Sequence, residues 1–156
     1  MSQDRSAPFL EDKNKSAPEL GLPCELDEIQ THRLDGKPLR DHQRHIIRWG
    51  VQGGRRAFFL DFGLGKSTVQ VEAGRIMLQK VCAGSGDRDN VAGEVLGLIV
   101  GPLGCRSDMI ADAAQLGVRL QFVRGMDEVR AEQAKPDGAR MFLTNFETVR
   151  DGKLDL

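Results

Sequence analysis

Ala57-Phe58-Phe59-Leu60-Asp61-Phe62-Gly63-Leu64-Gly65-Lys66-Ser67-Thr68 runs from an apolar stretch through two glycines into a lysine and two hydroxyls. The apolar start predicts a strand over 57–61. Val69, Val71, Ile76 and Met77 then follow a helical pattern and predict a helix from about Lys66 to Lys80. Strand, glycine loop, Lys-Ser and helix in that order make a phosphate cradle. Glycines let backbone N–H groups turn inward onto phosphate oxygens, Lys66 reaches the β- and γ-phosphates, and the Ser67 hydroxyl ligates Mg²⁺. The positive end of the helix dipole faces the same charge. Gly63, Leu64, Gly65, Lys66, Ser67 and Thr68 are therefore the candidate nucleotide-binding residues, with Lys66 as the catalytic candidate and Ser67 as the metal ligand. The strict pattern has Gly at position 60, where Leu60 stands. The plainer alternative is a glycine-rich turn before an amphipathic helix.

Downstream, apolar runs recur. Val95–Val100, Val118–Val123 and Met141–Thr144 read as short strands, with helices over about Arg106–Leu116 and Asp127–Gln133 between them. Residues 83–94 read as a polar, glycine-rich loop. This alternation predicts an α/β domain, a parallel sheet flanked by helices, with ligands beyond the carboxyl ends of the strands. Upstream, residues 1–36 repeat Ser-Ala-Pro, carry dense charge and few aliphatics, and read as a weakly ordered segment, with a short helix near Phe9–Lys13. The domain proper is expected over 37–156. Pro38 reads as a first-turn proline of a helix whose apolar stripe is Leu39, Ile46, Ile47, Trp49 and Val51, stopped by Gly53-Gly54.

Bulk composition narrows the function. A net charge of −1 gives no global basic field, so any nucleic-acid contact must come from a local patch. No apolar run approaches about 18 residues, which predicts no membrane span, and the first residues lack an apolar signal core. Cys24, Cys82 and Cys105 are widely spaced without zinc-type pairing and read as reduced thiols. His42 and His45 read as a solvated helix face.

Gln43 has an amide that complements the N6 and N7 edge of adenine. An ordinary exposed helical glutamine is the plain alternative. Four runs together carry more. Leu39-Arg40-Asp41-His42-Gln43-Arg44-His45-Ile46-Ile47-Arg48-Trp49 resembles the adenine-sensing segment of Swi/Snf-type superfamily-2 helicases, and Phe58–Ser67 resembles their strand and Gly-Leu-Gly-Lys-Thr loop. Leu98-Ile99-Val100-Gly101-Pro102-Leu103-Gly104 is similar to motif Ia, and Phe142-Leu143-Thr144-Asn145-Phe146-Glu147-Thr148-Val149-Arg150 to the Thr-x-Tyr-Glu region at motif Ib. The mixture resembles phage and prophage members. Asp41 stands for the usual Pro, Ser67 for Thr, and Phe146 for Tyr.

The resemblance implies the amino-terminal part of a RecA-like P-loop domain. It implies ATP and Mg²⁺ as cofactors, adenine selection by Gln43, and sequence-independent DNA backbone contacts by Pro102, Leu103, Gly104, Thr144 and Asn145. Arg106 is a further candidate phosphate contact, with an ordinary exposed helical arginine as the plainer reading. It also implies a cytoplasmic protein of a bacterium or phage-infected cell. The family's next strand carries an Asp-Glu pair, and a second RecA-like domain supplies an arginine finger; neither is seen before Leu156, so a fragment is expected. Asp27-Glu28 and Asp127-Glu128 read as surface acids. The chain alone is expected to bind ATP weakly, to lack turnover, and to expose strand edges. The rival readings are a non-enzymatic P-loop regulatory module and an adaptor using the basic helix face Arg40, Arg44 and Arg48. A kinase-type enzyme would leave Gln43 idle.

Overall fold

The apolar runs downstream of the loop become three short parallel strands, and the sheet they form has one central member. A computed structural model describes residues 20–84 and 95–154. The expected helix at 9–13 and residues 85–94 of the polar loop lie outside them. β1 is Gly97–Gly101, β2 is Leu120–Phe122 and β3 is Met141–Asn145, in the order β1-β3-β2. Gly97 pairs with Met141 and Gly101 with Asn145 on one side, and Leu120 pairs with Met141 on the other. β3 is buried from Met141 to Thr144, as a central parallel strand must be.

Helices cover both faces. α1 is Asp41–Gly53, α2 Lys66–Gly84, α3 Arg106–Gln115, α4 Met126–Gln133 and α5 Phe146–Arg150. The period of two along β3 sends Met141 and Leu143 into one cluster, with Ile47, Val51, Val69, Ile76, Met109 and Ala113 of α1, α2 and α3. It sends Phe142 into the other, with Val129 of α4, Val123 and Leu154. Connection handedness accounts for the division. The β1-to-β2 crossover steps over β3 one way and the β2-to-β3 crossover steps back, so right-handed connections put α3 and α4 on opposite faces.

The expected strand over 57–61 is not a strand. Residues 56–61 belong to no strand ladder among the described residues, where β1 and β2 each pair with β3 alone. A helix contact holds this segment instead. Phe58 meets α1 at Gly50, where an added Cβ would fall 2.2 Å from the ring. The ring also lies 5.9 Å from that of Trp49. Phe58 and Leu60 therefore pack inward while Phe59 is 95% exposed, the alternation of a strand without its ladder.

The boundary expected at residue 36 also moves. Cys24 and Ile29 are buried in the main core, and Gln30 N–H donates to Glu72 of α2 at 2.9 Å. Few aliphatics precede residue 36, but these two are enough to dock the segment. Arg44 and Arg48 of α1 donate to the carbonyls of Leu26 and Cys24 at 2.6 and 3.2 Å. The basic face proposed for an adaptor is thus partly spent on intramolecular carbonyls. Pro38 lies before the helix, bridged to His32, and α1 begins at Asp41. Among the described residues no helix is long and apolar enough to cross a membrane.

Candidate nucleotide-binding site

The glycine loop does form, and it leads into a helix as its sequence requires. Gly63 and Gly65 take φ of +77° and +75°, conformations that L side chains rarely adopt. α2 starts at Lys66, and Val69 N–H donates to Gly65 O at 3.0 Å. The N–H groups of Lys66, Ser67 and Thr68 have no backbone acceptor among the described residues. Such a helix start is a ready anion site.

Gln43 is attached to this loop. Its Nε2 donates to Leu64 O at 3.1 Å, and its Oε1 accepts from Arg40 N–H at 2.9 Å, closing the first turn of α1. At 9% exposure it is no solvated helical glutamine. One amide hydrogen and one lone pair remain uncommitted. Gly65 permits the approach, since a Cβ there would lie 2.3 Å from Gln43 Nε2.

Arg33, Lys37, Pro38, Arg40, Gln43, Gly63, Gly65, Thr68 and Asp112 line a cavity of about 400 Å³ beside the loop. That volume lies within the range of small-ligand sites, about 300–1,000 Å³. Three cations face one carboxylate. Asp35 sits behind them, 3.6 Å from Arg33 and 3.4 Å from Lys37. Partial burial opposes its ionisation, but hydrogen bonds from the Lys37 backbone and side chain and the Arg33 charge outweigh this and hold its pKa below the ordinary value. Arg40 has no ion pair among the described residues. The donor set suits a polyphosphate: free amides at a helix start, glycine-lined walls and excess positive charge.

No protein-family model matches the chain, and no curated protein matches it. The site must therefore be judged on its own residues, and they divide.

Gln43, Gly63, Gly65 and Thr68 meet in the cavity, with Leu64 turning its carbonyl to Gln43. Lys66 lies on the other flank: its Nζ donates to Asp61 O at 2.8 Å and stands 5.0 Å over the Phe62 ring. Ser67 Oγ donates to the Asp112 carboxylate on α3. Arg33, Lys37 and Arg40, the last read only as part of an adaptor's basic face, and Asp112 escaped the sequence reading as nucleotide-site residues. Basic residues just before α1 were a usable signal for the first three. Nothing local marks Asp112.

The positions expected to contact DNA also divide. Pro102, Leu103 and Gly104 are exposed beyond the carboxyl end of β1. Thr144 is fully buried and donates to Val123 O at 2.8 Å, so the expected surface role fails: its hydroxyl ties the sheet to the turn after β2. Asn145 caps α5, accepting from Thr148 N–H at 3.1 Å. Asp127-Glu128 opens α4, where Glu128 accepts from Arg124 N–H at 3.0 Å. Glu28 of the other acid pair binds Lys80 at 2.5 Å. Neither pair lines the cavity.

Proposed function

We propose that this chain binds ATP with Mg²⁺ at the 61–67 loop and is the ATP-binding portion of an ATP-dependent DNA helicase or translocase. The observation that carries the reading is the attachment of Gln43 to the glycine loop beside three N–H donors that have no backbone acceptor among the described residues. An adenine-reading amide and a phosphate cradle then share one cavity. Lys66 reaches the phosphates by giving up its carbonyl contact to Asp61, an exchange of one hydrogen bond for a charge-assisted one. The motor reading draws on the order of the four helicase-like runs. It draws also on the exposed Pro102–Gly104 turn, next to a mostly apolar groove flanked by two cations, Arg106 and Arg124, whose guanidinium groups lie 4.4 and 5.9 Å over the Phe122 ring.

Hydrolysis needs a water-positioning acid and a trans arginine, the latter worth about 10³–10⁵ in rate. No Asp-Glu pair lines the cavity among the described residues, which favours a second reading, a P-loop regulatory module that binds without turnover. Isothermal titration of the purified chain with ATP, ADP and GTP in excess Mg²⁺ tests the shared core of both. Weak ATP binding, weaker GTP binding and loss of both in Lys66→Ala are expected, with no phosphate release. Absence of triphosphate binding at millimolar concentration refutes the site. Phosphate release at helicase rates refutes the expectation of an inert fragment.

A further inference from the structure

The segment after Gly54 has the exposure pattern of a strand and no ladder. Arg55, Ala57, Phe59 and Asp61 are exposed while Arg56, Phe58 and Leu60 are half-buried, a period of two. No backbone N–H or C=O of Ala57, Phe58, Phe59 or Leu60 is paired with another backbone group among the described residues. Phe59 is almost fully exposed. An unpaired edge is a template for another strand, and proteins commonly blunt it with lysine, proline or a bulge. Residues 57–60 hold no charge, glycine or proline. On the outward side charge stands only at the two ends, positive at Arg55 and negative at Asp61. We propose that residues 55–61 pair antiparallel with the same segment of a second copy of this chain, in a two-fold dimer centred on Phe58.

Charge selects both the partner and the direction. Arg55 and Asp61 are equally far from Phe58 along the chain. A two-fold axis through Phe58 therefore sets Arg55 of each copy opposite the partner's Asp61, at both ends of the ladder. Parallel pairing in register would set like charges against each other instead. The same register keeps outward residues opposite outward ones. Ala57 then faces the partner's Phe59, and its methyl group leaves the space that an aromatic ring needs. On the inward side Phe58 meets the partner's Phe58, and Leu60 meets the aliphatic stem of the partner's Arg56. A cavity of about 330 Å³ lined in part by Phe58, Leu60 and Val69 gives these side chains room.

The ends and the middle of the segment do different work. Arg55 N–H already donates to Gly53 O at 2.8 Å, and Asp61 O already accepts from Lys66 Nζ at 2.8 Å. The end pairs are thus contacts between side chains. The ladder bonds join Ala57 and the partner's Phe59 in both directions across the axis, where the backbone groups have no other backbone partner among the described residues.

The test is sedimentation equilibrium of the full chain over a concentration series, without nucleotide, so that its outcome is independent of the ATP reading. The wild type is expected to show a monomer–dimer equilibrium. Arg55→Asp and Asp61→Arg each set like charges opposite one another at both ends of the ladder, and each is expected to weaken the dimer by about 10–30-fold. An equimolar mixture of the two variants restores opposed charges at both ends and is expected to give a heterodimer of wild-type strength. Phe59→Pro removes a ladder donor and is expected to abolish the wild-type dimer and, placed in either variant, the heterodimer. All three positions are exposed, and circular dichroism checks that each variant is folded; if Phe59→Pro is not, Phe59→Lys replaces it, blunting the edge with charge. A wild type that is monomeric at every concentration overturns the proposal and leaves the edge to a different chain. A dimer that withstands both charge reversals, or a mixture that stays dissociated, overturns it as well.

Discussion

Gly63 and Gly65 have nearly the same backbone and different surroundings, so alanine at each separates strain from contact. Their φ values are +77° and +75°. Alanine in that region costs about 1–2 kcal/mol, offset by about 0.4–1 kcal/mol from the stiffer unfolded chain. An added Cβ at Gly63 meets nothing within 4 Å, so Gly63→Ala should destabilise by about 1 kcal/mol. At Gly65 the Cβ falls 2.3 Å from Gln43 Nε2, and the amide must leave. It then gives up its bonds to Leu64 O and Arg40 N–H, each worth about 1 kcal/mol net. Gly65→Ala should therefore cost about 3 kcal/mol, some two more than Gly63→Ala. Urea unfolding reads this directly. With a slope of about 1.5 kcal/mol/M the two midpoints differ by about 1.3 M. In a Gln43→Ala background nothing is left to displace, and the excess at Gly65 should vanish. Equal midpoints for the two glycine variants, or an excess that survives removal of Gln43, refute the Gln43–loop attachment on which the functional reading stands.

Other consequences are as direct. Glu72 is fully buried and accepts from Gln30 N–H and from Arg75 Nε and Nη2 at 2.9, 2.7 and 2.6 Å; Glu72→Ala strands these donors and should cost about 3 kcal/mol, which urea midpoints will show. The Glu132 carboxyl is held below its ordinary value, first by the Lys135 hydrogen bond, against partial burial, and with help from Ala139 N–H and the Lys135 and Arg119 charges. Because the folded value is depressed, its stabilisation is complete above about pH 4.5 and is lost as pH falls through the folded value. Melting temperature should hold steady above pH 5 and drop below it, less steeply in Glu132→Gln; identical profiles would remove Glu132 from the account. Gly50→Ala gains helix propensity but drives a methyl to within 2.2 Å of the Phe58 ring. Overpacking of this kind costs about 1–3 kcal/mol, and Trp49, the sole tryptophan, should report it as changed fluorescence that Phe58→Leu restores.

How far the sequence could be read depended on how far apart the interacting residues lie. The apolar run at 141–145 is a strand because a central parallel strand is buried on both faces, and that need is written locally; the edge strand at 97–101 is only partly buried. The glycine loop was legible for the same reason, since Gly-x-Gly before a helix specifies its own backbone. The run at 57–61 carried an equally good strand signal and failed. Inward Phe58 and Leu60 with outward Phe59 is the pattern of any extended segment with one face on a core, whether or not a neighbour supplies a ladder. Pairing is a property of the neighbour, and α1 took that place through Phe58. The partners at the site are nonlocal in the same sense: Asp112 reaches Ser67 across 45 positions and Gln43 reaches Leu64 across 21. Gln43 was legible only because its type suggested a ligand, and its first structural role is to close α1 and hold the loop. Those two roles are compatible: the amide that anchors the loop to α1 keeps one hydrogen and one lone pair for the base that the proposed function assigns to it.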